Sequence, residues 1–90
     1  MSPAEEFQAL VQVERERQDA RWGPHPKATN KDQLYLLLAV LGEEVGEANR
    51  AVLELGKDFA RIENCAAVQH LRDELVQVAA VAQKFWEALR

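Results

Sequence analysis

The sequence predicts an all-α fold, and three observations predict it. Apolar residues recur at intervals of three and four in three separate segments, the period of one helix face. Alternation by two is absent, and the turn residues that hairpins need are missing between the apolar segments, so no strand competes. Proline and glycine gather in one stretch, Trp22-Gly23-Pro24-His25-Pro26. That stretch must be a loop, because proline lacks the amide proton and restricts the residue before it.

Each element has its own signals. Ser2 and Glu5 fit a capping box with Pro3 at the first helical position, which starts a first helix. Phe7, Leu10, Val11 and Glu14 follow the helical spacing, giving an apolar face as far as about Val13, and Glu14 to Asp19 is highly polar. After the loop, Thr29 or Asn30 can cap a second helix with Asp32 or Gln33 in its first turn. It should run to about Leu55 and stop at Gly56. Its main stripe is Leu34, Leu37, Leu38, Leu41, Val45, Ala48, Val52 and Leu55. Residues 57–66 are ambiguous, with Asn64 as one cap for a third helix that starts there or several residues later. That helix carries Leu71, Leu75, Val78, Val81, Ala82, Phe85 and Leu89 at helical spacing.

Between Leu34 and Leu41 the second helix is hydrophobic nearly all round. A helix with no wet face is buried on several sides, and in so short a chain this predicts a covering partner subunit. The expected architecture is a helical hairpin of two long helices plus a shorter N-terminal helix. Dimerisation would complete a four-helix core.

Composition narrows the function classes. Ninety residues make one domain, spanning 1–90, and one marginal as a lone monomer. With 48% hydrophobic and 29% charged residues the chain is globular rather than disordered. Eleven basic and fifteen acidic side chains leave a net charge of −4, which argues against nucleic acid as a partner. A small phosphorylated substrate stays open, because bound cations offset the repulsion. The lone Cys65 forms no internal disulfide, and its expected state is a buried thiol rather than a nucleophile. The acidic start, Met1 to Glu6, has no apolar core and does not resemble a signal peptide. The apolar run Leu34–Leu41 is far short of the ~20 residues that cross a bilayer. The expectation is a cytoplasmic protein with no membrane partner.

Chemistry is concentrated in Gly42-Glu43-Glu44-Val45-Gly46-Glu47-Ala48. Glu44 and Glu47, three apart, project from the same side of a helix, on a line Val40, Glu44, Glu47, Ala51 that borders the core stripe. Carboxylates there need a cation, a basic partner or water. In the third helix, Glu74 lies close to the apolar seam with Gln77 one turn on. If the two helices pack antiparallel, the polar pairs face each other and offer several oxygens to a hard cation such as Mg²⁺ or Mn²⁺. No spacing for zinc or di-iron ligands is present. The competing reading is a solvated acidic face, with Arg50 pairing Glu47 or Glu43. Gly42 and Gly46 weigh against it. Each costs about 1 kcal/mol relative to alanine inside a helix, and close approach of another helix or a ligand is one reason to keep them.

Glu43-Glu44-x-x-Glu47 followed by Glu74-x-x-Gln77 resembles the EExxE…ExxD signature of MazG-like nucleoside triphosphate pyrophosphohydrolases, part of the all-α NTP pyrophosphatase group. Leu71 to Ala82 and Glu14 to Gly23 are similar to segments of the short members of that family. The resemblance implies hydrolysis of a nucleoside triphosphate between the α and β phosphates, giving the monophosphate and pyrophosphate. Glu44, Glu47 and Glu74 would be metal ligands, and Glu43 a further ligand or a group orienting water. The family's aspartate falls at Gln77, a neutral, weaker ligand that cannot act as a base. Glu43 or Glu47 could take the proton of the attacking water. Arg17, Lys31, Arg50 and Lys84 are the candidate phosphate-binding cations, with Lys84 nearest the Glu74 stripe. Each is by default a surface cation. Trp22 could stack on a base or plug the loop onto the bundle. Trp86 reads as a dimer or core residue, and His70 could brace Glu74. The same residues also allow a module that binds nucleotide or metal without turnover. A purely structural helical protein, with the three glutamates in water, is the remaining reading.

Overall fold

A computed structural model of the chain describes residues 1–23, 27–56 and 66–90. It contains three helices, α1 (Pro3–Trp22), α2 (Lys31–Gly56) and α3 (Ala66–Ala88), and no strand among the described residues. No helix among them is long and apolar enough to cross a membrane. Pro24 to Pro26, and the expectations for residues 57–65 including Asn64 and Cys65, lie outside the described residues.

The helix starts follow their local chemistry. The Ser2 side chain accepts from the Glu5 backbone N–H, and the Glu5 carboxylate accepts from that of Ser2, both at 3.1 Å. The reciprocal pair satisfies two donors that a bare helix start leaves open. At the other end Gly23 takes φ +82°, and its N–H donates to the Asp19 carbonyl at 2.8 Å. Only glycine adopts that backbone without a Cβ penalty. For α2, Asn30 is the cap: its Oδ1 accepts from the Gln33 N–H at 3.0 Å, and Gln33 Oε1 accepts from the Thr29 N–H at 2.6 Å.

Helix α3 is the central rod, packed against both α2 and α1. Antiparallel pairing with α2 is marked by the Ala28 N–H, which donates to the Ala88 carbonyl at 2.8 Å just ahead of α2. Helix α1 runs in the same direction as α3, with Glu6 beside Arg72 near one end and Arg15 on Glu87 near the other.

This placement shelters most of the stripes that periodicity gave, Leu34, Leu37, Leu41, Ala48 and Leu55 on α2 and Leu71, Val78, Val81, Ala82 and Phe85 on α3, and turns the rest outward. The buried positions of α3 are Glu74, Ala80, Val81, Lys84 and Ala88, while Leu75 and Leu89 are exposed. The most sheltered line of α3 faces the space between its two neighbours, and that line is partly charged. On α2 the buried side chains are Leu37, Ala48 and Ala51, whereas Leu38, Val45 and Val52 are exposed. The apolar face expected of α1 is also largely open, with Phe7, Leu10 and Val13 exposed and Gln18 its one buried residue. Ionic contacts join α1 to α3: Arg15 to Glu87, Arg72 to Glu6 and Lys84 to Asp19. Trp86 is exposed as well, so it is not a core residue of this chain.

Among the described residues no large side chain is fully buried. The radius of gyration is 14.8 Å, against about 12 Å for a compact chain of this length. A Cβ added at Gly42 or Gly46 of α2 would meet nothing within 4 Å among the described residues. No described residue makes the close approach expected there.

Candidate metal and phosphate site

A cleft of about 870 Å³ lies between α1 and α2, floored by α3. Helix α1 lends it Glu14, Arg17, Gln18, Arg21 and Trp22; α2 lends Leu36, Leu37, Val40, Glu43, Glu44 and Glu47; α3 lends Gln77, Val81 and Lys84. Glu44 and Glu47 share one side of α2, and antiparallel packing brings Glu74 of α3 against them. One carboxylate oxygen from each of Glu44, Glu47 and Glu74 lies within 4.8 Å of the other two.

Among the described residues no hydrogen-bonded cation compensates the cluster. The Glu74 side chain is 10% exposed, and its nearest basic group is His70 Nε2, 3.8 Å from Oε1. That is too long for a hydrogen bond. Oε2 of Glu74 and Oε2 of Glu44 are both buried with no hydrogen-bond partner. Burial pushes the Glu44 carboxyl above its ordinary range, and Glu47, Glu74, Glu43 and Glu14 add to the rise. Burial likewise raises Glu74, reinforced by the charge of Glu47 and by a hydrogen bond shared with it, with His70 opposing. Ionising Glu44 and Glu74 side by side is unfavourable unless a counter-charge offsets it.

A hard divalent cation fits this donor set. The oxygens converge, two are orphaned, and the Gln77 side chain lines the same cleft as a neutral oxygen donor.

The remaining sequence candidates divide. Lys84 is buried and lines the cleft, with Nζ 3.5 Å from Asp19 Oδ1. Arg17 lines the exposed side and forks onto Glu14 at 2.9 and 2.7 Å. Glu43 is exposed on the wall of the cleft. Trp22 is 71% exposed on the same cleft, with the Arg21 guanidinium 4.9 Å from its ring centroid. It is therefore not a plug packed into the bundle. Arg50 and Lys31 are exposed and do not line the cleft. Arg50 precedes the buried Ala51, so it points about 100° away from α3. Lys31 opens α2, about 20 Å along the axis from Glu44.

Sequence reasoning drew Arg17 and Trp22 from α1 but missed Glu14, Gln18 and Arg21 on the cleft and the contacts of Arg15. Gln18 is 8% exposed, and its Nε2 donates to Glu14 Oε2 at 3.1 Å. Arg15 Nε donates to Asp19 at 3.2 Å, and its two terminal nitrogens donate to Glu87 at 2.9 and 3.2 Å. The three- and four-residue spacing of Glu14, Gln18 and Arg21 was the available signal, hidden in a run that looked uniformly wet. Comparison with protein-family models, curated proteins and solved structures finds no match for this chain.

Proposed function

We propose that the protein is a metal-dependent hydrolase that converts a nucleoside triphosphate to its monophosphate and pyrophosphate. The observation that carries this reading is the pair of buried, unpartnered carboxylate oxygens on Glu44 and Glu74, gathered with Glu47 at one point of a cleft. The motif resemblance to MazG-like enzymes supplies the reaction class.

Glu44, Glu47 and Glu74 would hold Mg²⁺ or Mn²⁺, with the Gln77 amide oxygen completing the set. When bound, the ion offsets phosphate charge and makes a nearby water more acidic. Glu43 and Glu47 are the candidates to accept the proton of the water that attacks the α phosphorus, as the bond to the bridging oxygen breaks and pyrophosphate leaves. Lys84 and Arg17 offer positive charge to the phosphates. Trp22 offers an exposed aromatic face to the base. The test is pyrophosphate release across a nucleotide panel with Mg²⁺ and Mn²⁺. Release that disappears in Glu44→Ala and Glu74→Ala supports the reading, and no turnover on any common or oxidised nucleotide contradicts it.

Gln77 favours one second reading, a module that binds nucleotide and metal without turnover. Calorimetry would then give nucleotide affinity without product, and Gln77→Asp would raise metal affinity.

We also propose that two copies pair through α2. Leu38, Val45 and Val52, seven residues apart, are exposed beside the uncrowded Gly42 and Gly46. Small residues let a second helix approach closely, and burying the three apolar side chains offsets the helix propensity lost at glycine. Sedimentation should give twice the 10.2 kDa chain mass, and the double substitution Gly42→Ala and Gly46→Ala should shift it towards monomer. A monomeric wild type contradicts the pairing.

A further inference from the structure

Glu14 opens the Glu14–Gly23 segment but was no candidate site residue, and it lines the cleft beside Glu43, Glu44 and Glu47. Its side chain is 13% exposed. Two groups hold it: Gln18 donates to Oε2 from the buried side, and Arg17 grips both oxygens from the solvent side. A carboxylate so fully engaged is poorly placed to serve as another metal ligand. Its effect falls on Arg17, whose guanidinium is otherwise half exposed on a flexible stem.

We propose that Glu14 is a positioning residue: braced by Gln18, it holds the Arg17 guanidinium at the exposed side of the carboxylate cleft, ready to grip the outer phosphates of a polyphosphate. Exposed Arg–Glu pairs contribute little net stability, so trading one carboxylate oxygen for a phosphate oxygen is easy. Arginine's planar fork suits both partners. A pre-oriented guanidinium loses less freedom on binding than a free one. The inference rests on the cleft being the polyphosphate site proposed above.

The experiment measures Mn²⁺ binding by electron paramagnetic resonance and inorganic pyrophosphate binding by calorimetry with Mg²⁺ present. Wild type, Glu14→Gln, Glu14→Asp, Arg17→Ala and the Glu14→Gln/Arg17→Ala double variant are compared. Glu14→Gln should change Mn²⁺ affinity much less than it changes pyrophosphate binding, which should weaken roughly tenfold, the scale of lost supporting contacts. Glu14→Asp should recover part of that loss. The double variant should be no worse than Arg17→Ala alone, because the two residues act as one unit. Wild type that binds both probes, with Glu14→Gln unchanged towards pyrophosphate or additive with Arg17→Ala, overturns this inference alone. Wild type that binds neither overturns the hydrolase reading as well.

Discussion

Glu74 and Lys84 stand on the same helix, about 15 Å apart along its axis, and both are less than a tenth exposed. Their surroundings differ in kind. Lys84 meets Asp19, Asp19 also accepts from Arg15, and Arg15 forks onto Glu87, so every charge in that chain has an opposite neighbour. Glu74 meets two more glutamates, and one of its oxygens has no partner. The lysine end of the cleft ties α1 to α3 within the chain. Among the described residues the glutamate end has no such opposite partner, and crowded carboxylates of that kind mark a candidate site.

The contrast breaks most visibly at Glu74. Glu74→Gln should lower pyrophosphohydrolase activity by two orders of magnitude or more, on the order of 3 kcal/mol of transition-state stabilisation. The same change removes an uncompensated buried charge, so the metal-free variant should melt at or above the wild-type temperature. An active Glu74→Gln enzyme would place the chemistry elsewhere. The next largest effect is stabilisation by the ion. At a hundred times its dissociation constant, Mg²⁺ should add about 2.7 kcal/mol, raising the melting temperature by roughly 10–20 °C in a domain of this size. Glu74→Gln should lose that rise and Lys84→Met should keep it.

Lys84→Met tests the other end. It leaves Asp19 with Arg15 as its partner, and Asp19 is about one-third exposed, so solvent screening moderates the loss. A melting shift equivalent to about 1–2 kcal/mol of destabilisation is expected. An unchanged melting temperature would show that the ionic chain does not hold α1.

pH sharpens the comparison further. Glu44 and Glu74 have folded-state pKa values raised above the ordinary 4.5. The folded, metal-free chain therefore binds protons that the unfolded chain has released. Their stabilising contribution is complete below about pH 4.5 and is lost as pH climbs through the raised values. Glu14 behaves oppositely. The Arg17 hydrogen bonds hold its carboxyl below the ordinary range, so its contribution is lost only as pH falls beneath it. Metal-free melting temperature should rise as pH drops from about 7.5 to about 5, and Glu74→Gln should flatten that rise. A wild-type melting temperature that falls over the same interval contradicts the account. The smallest effect lies outside the cleft. Ser2→Ala removes half of the capping box and should cost about 1 kcal/mol or less, read in the same melts.

What the sequence made legible was local. Ser2, Glu5 and Pro3 start α1, and Asn30 with Gln33 starts α2, because a cap depends on residues within one turn. Glu44, Glu47 and Glu74 were legible because each carries its charge beside an apolar seam, where charge needs a reason. The Arg15–Asp19–Lys84–Glu87 chain was not, since it exists only once the register of α1 on α3 is known. Periodicity shows which side chains are apolar and leaves open which helix they meet. For that reason Leu75 and Val45 looked like core, and Gln18 did not.

The most direct test is diffraction from crystals grown with saturating Mn²⁺, using its anomalous signal. The account predicts a peak about 2–2.6 Å from carboxylate oxygens of Glu44, Glu47 and Glu74 together. An ordered cleft with no peak between those three side chains would contradict it.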